Sequence, residues 1–168
     1  MTTTSSRLTD IILNALRNAF PSGLRALNMN GTNATVDAGN FSKISEEELV
    51  QMGLGLFSYF LHDTYTSKFR KMLTIEQFRD PELAELYTKQ YTDDPLTYQS
   101  SMFNMLCAGG VLRASNSDIM ALHFYAPIYM LLTLCDRAPD REQEAFTLLE
   151  RHIRQFSQIY QPGQEEIK

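Results

Sequence analysis

The stretch SDIMALHFYAPIYMLLTLCDR, residues 117–137, decides the fold class of this chain. Apolar side chains occupy nearly every turn of it between Asp118 and Asp136, which is typical of a helix buried on most sides. The uninterrupted apolar part is short for a membrane span, so a buried helix of a packed domain is the favoured interpretation. Pro127 lies inside the pattern and predicts a kink, because proline removes one backbone hydrogen bond.

A second long helix is predicted directly after it, from Asp140 to Tyr160. Its apolar residues step by three and four, the spacing of one helix face; they are Phe146, Leu149, Ile153, Phe156 and Tyr160. Ala145 and His152 widen this face, and a helix with so broad an apolar side usually meets two neighbours.

The helix that begins after Ser45 is predicted from a capping box, since Ser45 is followed three residues later by Glu48. Two apolar stripes run along it to about Asp63, which indicates a central position. Gly53 and Gly55 lie inside this helix, where each glycine costs about 1 kcal/mol. Two explanations stay open for them: close packing against a neighbouring helix, or room for a ligand.

Three further helix signals follow. Residues 67–79 carry a helical apolar pattern. Asp80-Pro81 predicts a new start, with aspartate as N-cap and proline at the first helical position. Asp94-Pro95 repeats that device, and the helix that it opens is predicted to stop at Gly109-Gly110.

The first part of the chain is predicted to hold a helix from Arg7 to Phe20 and then a loop over residues 28–42, where turn-forming residues crowd. No segment alternates with a period of two, so the predicted fold class is all-α. The expected organisation is one domain, 1–168, with N-terminal helices at 7–63, central helices at 64–110 and two last helices at 117–160; a family resemblance given below implies that the central helices form a pocket and the last two a dimer interface.

Composition limits the function classes. The chain has 168 residues, which suits one domain, and a net charge of -5. A surface that neutralises phosphates is basic, so direct DNA binding is disfavoured. Cys107 and Cys135 are too few for a disulfide framework, and the first residues lack a signal-peptide pattern. A cytoplasmic location is expected.

The search for chemistry favours binding over catalysis. His62, His123 and His152 have no partner at a metal-ligand spacing, so neither metal nor cofactor is expected. His62 fits a cation at the C-terminal end of a helix. The catalytic alternative is a small helical enzyme that uses His123 with Tyr125 or Cys107.

Methionine and aromatic side chains are abundant on the central helices. Most of them are expected to be ordinary core residues, but such residues also line adaptable apolar pockets. His123, Tyr98 or Tyr125 would supply orienting hydrogen bonds. The predicted ligand-binding residues are Phe57, Phe60, Phe69, Met72, Tyr98, Met102, Phe103, His123 and Phe124.

The region from Phe69 to Tyr160 resembles the C-terminal domain of the TetR/AcrR family of transcriptional regulators. Five motifs in this order carry the resemblance: LTIEQFRDPELAELY at 73–87, PLTYQ at 95–99, GVLR at 110–113, DIMALHFYAPI at 118–128 and LLERHIRQF at 148–156. The first segment, Arg7 to Phe60, fits by helix order alone. The helix-turn-helix head that begins family members is not found in this sequence.

The resemblance implies an antiparallel helical bundle that senses a small apolar ligand and forms a homodimer. Its last two helices would join their copies in a four-helix bundle. Contact with DNA would then pass only through a head that this sequence lacks. The alternative is a headless interaction protein that heterodimerises with an intact regulator. The expected interface residues are Ile128, Leu131, Leu132, Cys135, Ala145, Leu149, His152 and Phe156.

Overall fold

A computed structural model of the chain describes residues 45–163, all within the compact unit Asp37–Lys168. Over these residues the backbone forms six α-helices and two short helical segments, and no strand. The predicted all-α class is therefore confirmed for this part of the chain. The helix expected at Arg7–Phe20 and the loop expected at 28–42 lie outside the described residues.

The six helices follow one another with short connections. They are α1 Glu46–His62, α2 Thr64–Glu76, α3 Pro81–Thr88, α4 Asp94–Ala108, α5 Ser117–Arg137 and α6 Glu142–Ile159. A π-helical segment, Lys89–Asp93, joins α3 to α4, and a 3-10 turn, Pro139–Arg141, precedes α6.

Helix starts follow the predicted capping chemistry. The Glu48 N–H donates to Ser45 Oγ at 3.1 Å, and the Ser45 N–H donates to the Glu48 carboxylate at 2.7 Å, so the capping box is confirmed. The Asp80 carboxylate accepts from the Glu82 N–H at 2.9 Å, with Pro81 in the first turn of α3. These local devices satisfy N–H groups that the first helical turn leaves free.

Helix α2 begins at Thr64, three residues before the predicted start. The reason is Asp63, whose carboxylate accepts the Thr66 N–H at 2.8 Å and caps the helix. His62 lies in the last turn of α1, at the helix end where it was predicted.

Helix α4 begins at Asp94 and ends before Gly109, as predicted, but the predicted aspartate cap is absent, because the backbone is already helical from α3 through the π segment. The Asp94 N–H donates to the Lys89 carbonyl across one wide π turn, and Asp94 shows no capping bond. Pro95 has no N–H for the Tyr91 carbonyl four residues earlier. The Tyr125 hydroxyl donates to that carbonyl instead, at 2.9 Å.

Helix α5 lies at the centre and packs against α4, α6 and α1. Among the described residues it is the one helix long and apolar enough to cross a membrane. Its inner face is nevertheless buried by the chain's own helices, as in the core helix of a packed bundle. The buried residues are Met120, Ala121, Phe124, Tyr125, Ile128, Leu131, Leu132 and Cys135.

The two glycines of α1 have different surroundings. A Cβ at Gly53 would lie 2.3 Å from Ile153 Cδ1 of α6 and 3.4 Å from Phe124 Cζ of α5. Gly55 is exposed, and a Cβ there would meet nothing within 4 Å. Of the two explanations left open, close packing accounts for Gly53, and neither accounts for Gly55.

Candidate functional site

The first candidate region is an apolar centre formed by Phe103 of α4, Phe124 of α5 and Phe156 of α6. The ring centroid of Phe103 lies 5.5 Å from that of Phe124 and 5.1 Å from that of Phe156. The centroids of Phe124 and Phe156 are 5.3 Å apart, and all three pairs are tilted or edge-on. Phe103 and Phe156 are fully buried. Such pairs add about 0.5–1.5 kcal/mol each beyond the burial of their area. The chain's own rings fill this centre.

Two histidines border the apolar centre. The His123 ring lies 5.3 Å from that of Phe156 and 5.5 Å from that of His152. His123 Nδ1 is 3.3 Å from the Tyr160 hydroxyl, a hydrogen bond whose direction depends on the tautomer. The two imidazoles therefore face one another where α5 meets α6.

His152 Nε2 is buried and makes no hydrogen bond. Burial lowers the pKa of His152, and the neighbouring His123 lowers it further, while the backbone carbonyls of His123 and Phe124 oppose this shift. The His123 carbonyl lacks its helical donor because residue 127 is proline. Near-neutral pH therefore favours an uncharged His152 beside these carbonyls.

The second candidate region is a polar centre built around Arg70 of α2, which is fully buried. Its Nε and Nη2 donate to the two carboxylate oxygens of Asp136 in α5, at 2.9 and 2.7 Å. Its Nη1 donates to the Phe60 carbonyl at the end of α1. The Arg70 guanidinium thus connects three helices, and the Asp136 carboxylate neutralises its buried charge.

Tyrosines surround this ion pair. The Tyr87 and Tyr129 hydroxyls lie 2.7 Å apart, and the Thr74 hydroxyl donates to Tyr87 at 3.3 Å. The rings of Tyr87 and Tyr91 are 5.1 Å apart. Burial raises the pKa of Tyr91, Tyr125 and Tyr129, so all three phenols stay protonated and act as neutral hydrogen-bonding groups.

Two buried side-chain amides lack partners for their oxygens. Gln90 in the π segment is 4% exposed and Gln99 in α4 is 3% exposed, and neither Oε1 atom accepts a hydrogen bond. A buried polar atom without a partner costs about 1–3 kcal/mol. Within residues 45–163, these two oxygens and His152 Nε2 are the buried side-chain atoms in that condition.

The nine predicted ligand-binding residues are spread over both centres. Phe103 and Phe124 meet in the apolar centre, whereas the Phe60 ring lies 6.0 Å from Tyr91 in the polar centre. Phe57 packs against Phe146, with centroids 4.9 Å apart. Met102 is buried, Phe69, Met72 and His123 are half-buried, and Tyr98 is 37% exposed.

Seven of the eight expected interface residues lie in the core of a single chain. Ile128, Leu131, Leu132, Cys135, Ala145, Leu149 and Phe156 are at most 3% exposed, and His152 is half-buried. In this conformation these seven side chains are covered by their own chain. A second copy would meet the opposite faces of α5 and α6, where Ile119, Leu122, Met130, Leu148 and Ile159 are 39–58% exposed.

Sequence reasoning missed the hydrogen bonds of His62. Its Nε2 lies 2.7 Å from the Glu142 carboxylate, and its Nδ1 lies 3.2 Å from the Ser58 hydroxyl. The spacing of Ser58 and His62 was visible as one helical turn, but nothing local pointed to Glu142. All three are at the surface, where His62 connects the end of α1 to the start of α6.

An open groove lies between the start of α1 and the ends of α4 and α6. Its walls include none of the predicted ligand-binding residues. They are formed by Ser45, Glu46, Leu49, Leu106, Val111, Leu112, Ser157 and Gln161.

In the described part of the chain, no three or more His, Cys, Asp or Glu side chains come together as they would around a metal ion. Cys107 and Cys135 are free thiols. Burial raises the pKa of Cys135, which disfavours the reactive thiolate.

The chain matches no protein-family model, no curated protein and no solved structure. The helical class is therefore shown by the structure alone.

Proposed function

We propose that this chain is the small-molecule-sensing and homodimerisation domain of a TetR-like transcriptional regulator, and that it does not contact DNA itself. One observation carries the proposal. The two longest described helices, α5 and α6, pack against each other while their outward faces expose large apolar side chains. A second copy of the chain would cover those faces.

The outward face of α5 is continuous. Ile119, Leu122, Ala126 and Met130 are exposed at steps of three and four, so they line one side of the helix. Ile119 and Met130 are each 58% exposed. Burying a large apolar side chain contributes about 1.5–3 kcal/mol, so a few such residues on each copy supply substantial association energy.

On α6, Leu148 and Ile159 are 39% and 42% exposed. They are eleven residues apart, close to three whole helical turns, and the exposed Arg151 and Gln155 lie between them. The apolar face of α5 and these two side chains of α6 suit an isologous contact, in which two copies pair four helices through a two-fold axis.

Ligand sensing would use the central helices. Met102, Phe103 and Phe124 are buried side by side on α4 and α5, and methionine and phenylalanine adapt to apolar guests. Because the rings of Phe103 and Phe124 already touch, a ligand would favour a second helix arrangement. In a complete regulator that choice would couple ligand binding to operator binding.

Sedimentation velocity with two matched variants tests the dimer. Met130→Glu places a charge on the outward face of α5, whereas Phe78→Glu places one on a residue beyond α2 that is 86% exposed. We expect the wild type and Phe78→Glu to sediment as dimers and Met130→Glu to be monomeric with an unchanged circular dichroism spectrum.

A monomeric wild type would contradict homodimerisation. If that monomer also formed a mixed complex with an intact regulator, the heterodimerising interaction protein would be the better function. Retarded migration of operator DNA by this acidic chain alone, at physiological salt, would contradict the absence of DNA contact.

A further inference from the structure

Within residues 45–163, the amide oxygens of Gln90 and Gln99 and the Nε2 atom of His152 are buried without a hydrogen-bond partner, and the two amides belong to the most deeply buried of these side chains. Both side chains are at least 96% buried, and neither carbonyl oxygen has a hydrogen-bond partner. Methionine or leucine would fill the same volume at lower cost, since an apolar side chain leaves no acceptor unpaired. A group that supplies a hydrogen would satisfy these oxygens.

The position of Gln99 connects it with the proposed ligand site. Gln99 lies three and four residues before Met102 and Phe103, and these spacings place all three on one face of α4. Gln90 lies nine residues before Gln99, in the π-helical segment, and this spacing of about two and a half turns does not place it on that face. A guest along this face of α4 would therefore pass Gln99.

The electrostatics of the described interior favour an uncharged guest. The buried charge of Arg70 is already matched by Asp136 and by the Phe60 carbonyl. Glutamine is neutral, and an ion buried beside a neutral amide in an apolar surrounding is unfavourable. Two unpaired carbonyl oxygens also disfavour a carboxylate or phosphate, which brings only acceptors.

We propose that the ligand is an uncharged amphiphile, an apolar chain that carries a hydroxyl or amide hydrogen-bond donor, and that Gln99 Oε1 accepts this hydrogen. The proposal rests on the proposed sensor function and adds the chemical class of the ligand. It makes Gln99 the specificity-determining residue of the site.

Isothermal titration calorimetry with three probes of one chain length tests it: decanamide, N,N-dimethyldecanamide and decanoate. The first has a donor, the second lacks the donor but keeps the carbonyl, and the third is an anion. We expect decanamide to bind the wild type about tenfold or more tightly than either analogue, which is the size of one buried hydrogen bond.

Gln99→Met is the informative variant, and Gln51→Met, on the exposed side of α1, is its matched control. Gln99→Met should bind all the neutral probes alike, while Gln51→Met should keep the wild-type preference. Without any probe, Gln99→Met should raise the melting temperature, because it removes an unpaired buried oxygen. A lowered melting temperature would overturn the proposal, since it would mean that the amide already has a partner.

The three probes separate a failure of the donor proposal from a failure of the proposed sensor function. Equal binding of decanamide and its dimethyl analogue to the wild type would overturn the donor proposal and leave the sensor function standing. Tighter binding of decanoate would do the same. If none of the three binds, the apolar sensor function fails and the donor proposal fails with it.

Discussion

The apolar centre and the polar centre are held together by different physics. Phe103, Phe124 and Phe156 gain stability from burial and dispersion, which depend on volume more than on direction. Arg70 and Asp136 depend on particular atoms meeting at 2.7–2.9 Å. The apolar centre should therefore tolerate a change of side-chain shape at similar volume. The polar centre should lose stability when a single hydrogen-bonding partner is removed.

Truncating the apolar centre should give the largest effect. Phe156 is fully buried and its ring packs against those of Phe103, Phe124 and Tyr160, so Phe156→Ala should lower the free energy of unfolding by about 3–5 kcal/mol. Phe156→Leu keeps most of the side-chain volume, so its loss of unfolding free energy should be less than about half of the loss in Phe156→Ala. Urea unfolding followed by circular dichroism measures both, and equal losses would contradict a volume-driven region.

Removing one partner of the ion pair in the polar centre should lower the free energy of unfolding by about 3 kcal/mol. Arg70→Met leaves the Asp136 carboxylate, which is only 14% exposed, without its bidentate partner and with only the exposed Lys71 ammonium, 4.0 Å away. The double variant Arg70→Met/Asp136→Leu should regain most of the stability, because no unpaired charge remains. Additive losses in the same urea assay would show that the pair does not act as a unit.

The contact of α1 with the apolar centre can be probed with its two glycines. Gly55→Ala should stabilise the chain by up to about 1 kcal/mol, since the site is open and alanine favours a helix. Gly53→Ala should be less stable than Gly55→Ala by about 1–3 kcal/mol, because its methyl group would strike Ile153. Thermal unfolding of both variants gives the difference, and indistinguishable melting temperatures would contradict the close approach.

The smallest expected effect is a pH dependence at the border of the apolar centre. Burial lowers the pKa of His152 in the folded chain below 6.5, so the unfolded chain binds a proton more readily. Stability should be fully present above about pH 6.5 and decline as the pH falls below that value. His152→Gln should flatten this part of the profile, and an unchanged slope would assign the dependence to other groups.

Local chemistry made much of the fold predictable. The Ser45 capping box and the Asp80-Pro81 start follow from residues within one helical turn, and both are present. The Asp94-Pro95 pair looked identical in sequence and also begins an α-helix, but its aspartate does not cap that helix. A hydroxyl from Tyr125, on another helix, satisfies the carbonyl that Pro95 leaves free, so the helix continues.

The candidate site was less predictable for the same reason. Periodicity identified Phe103 and Phe124 as inward-facing residues, and they are neighbours in the structure. It could not pair Arg70 with Asp136, which are 66 positions apart, or show that the oxygen of Gln99 lacks a partner. Long-range polar contacts leave no periodic trace along a chain.

The sequence by itself determined the helical class, the order of the helices and which positions are apolar, because each depends on spacing within a few residues. Only the tertiary structure decided how the apolar faces of α5 and α6 are used. It turns Ile128 and Leu149 into the chain's own core and leaves Leu122 and Met130 outside. A helix buries its most apolar side first against its own chain, and a partner can use only the surface that remains.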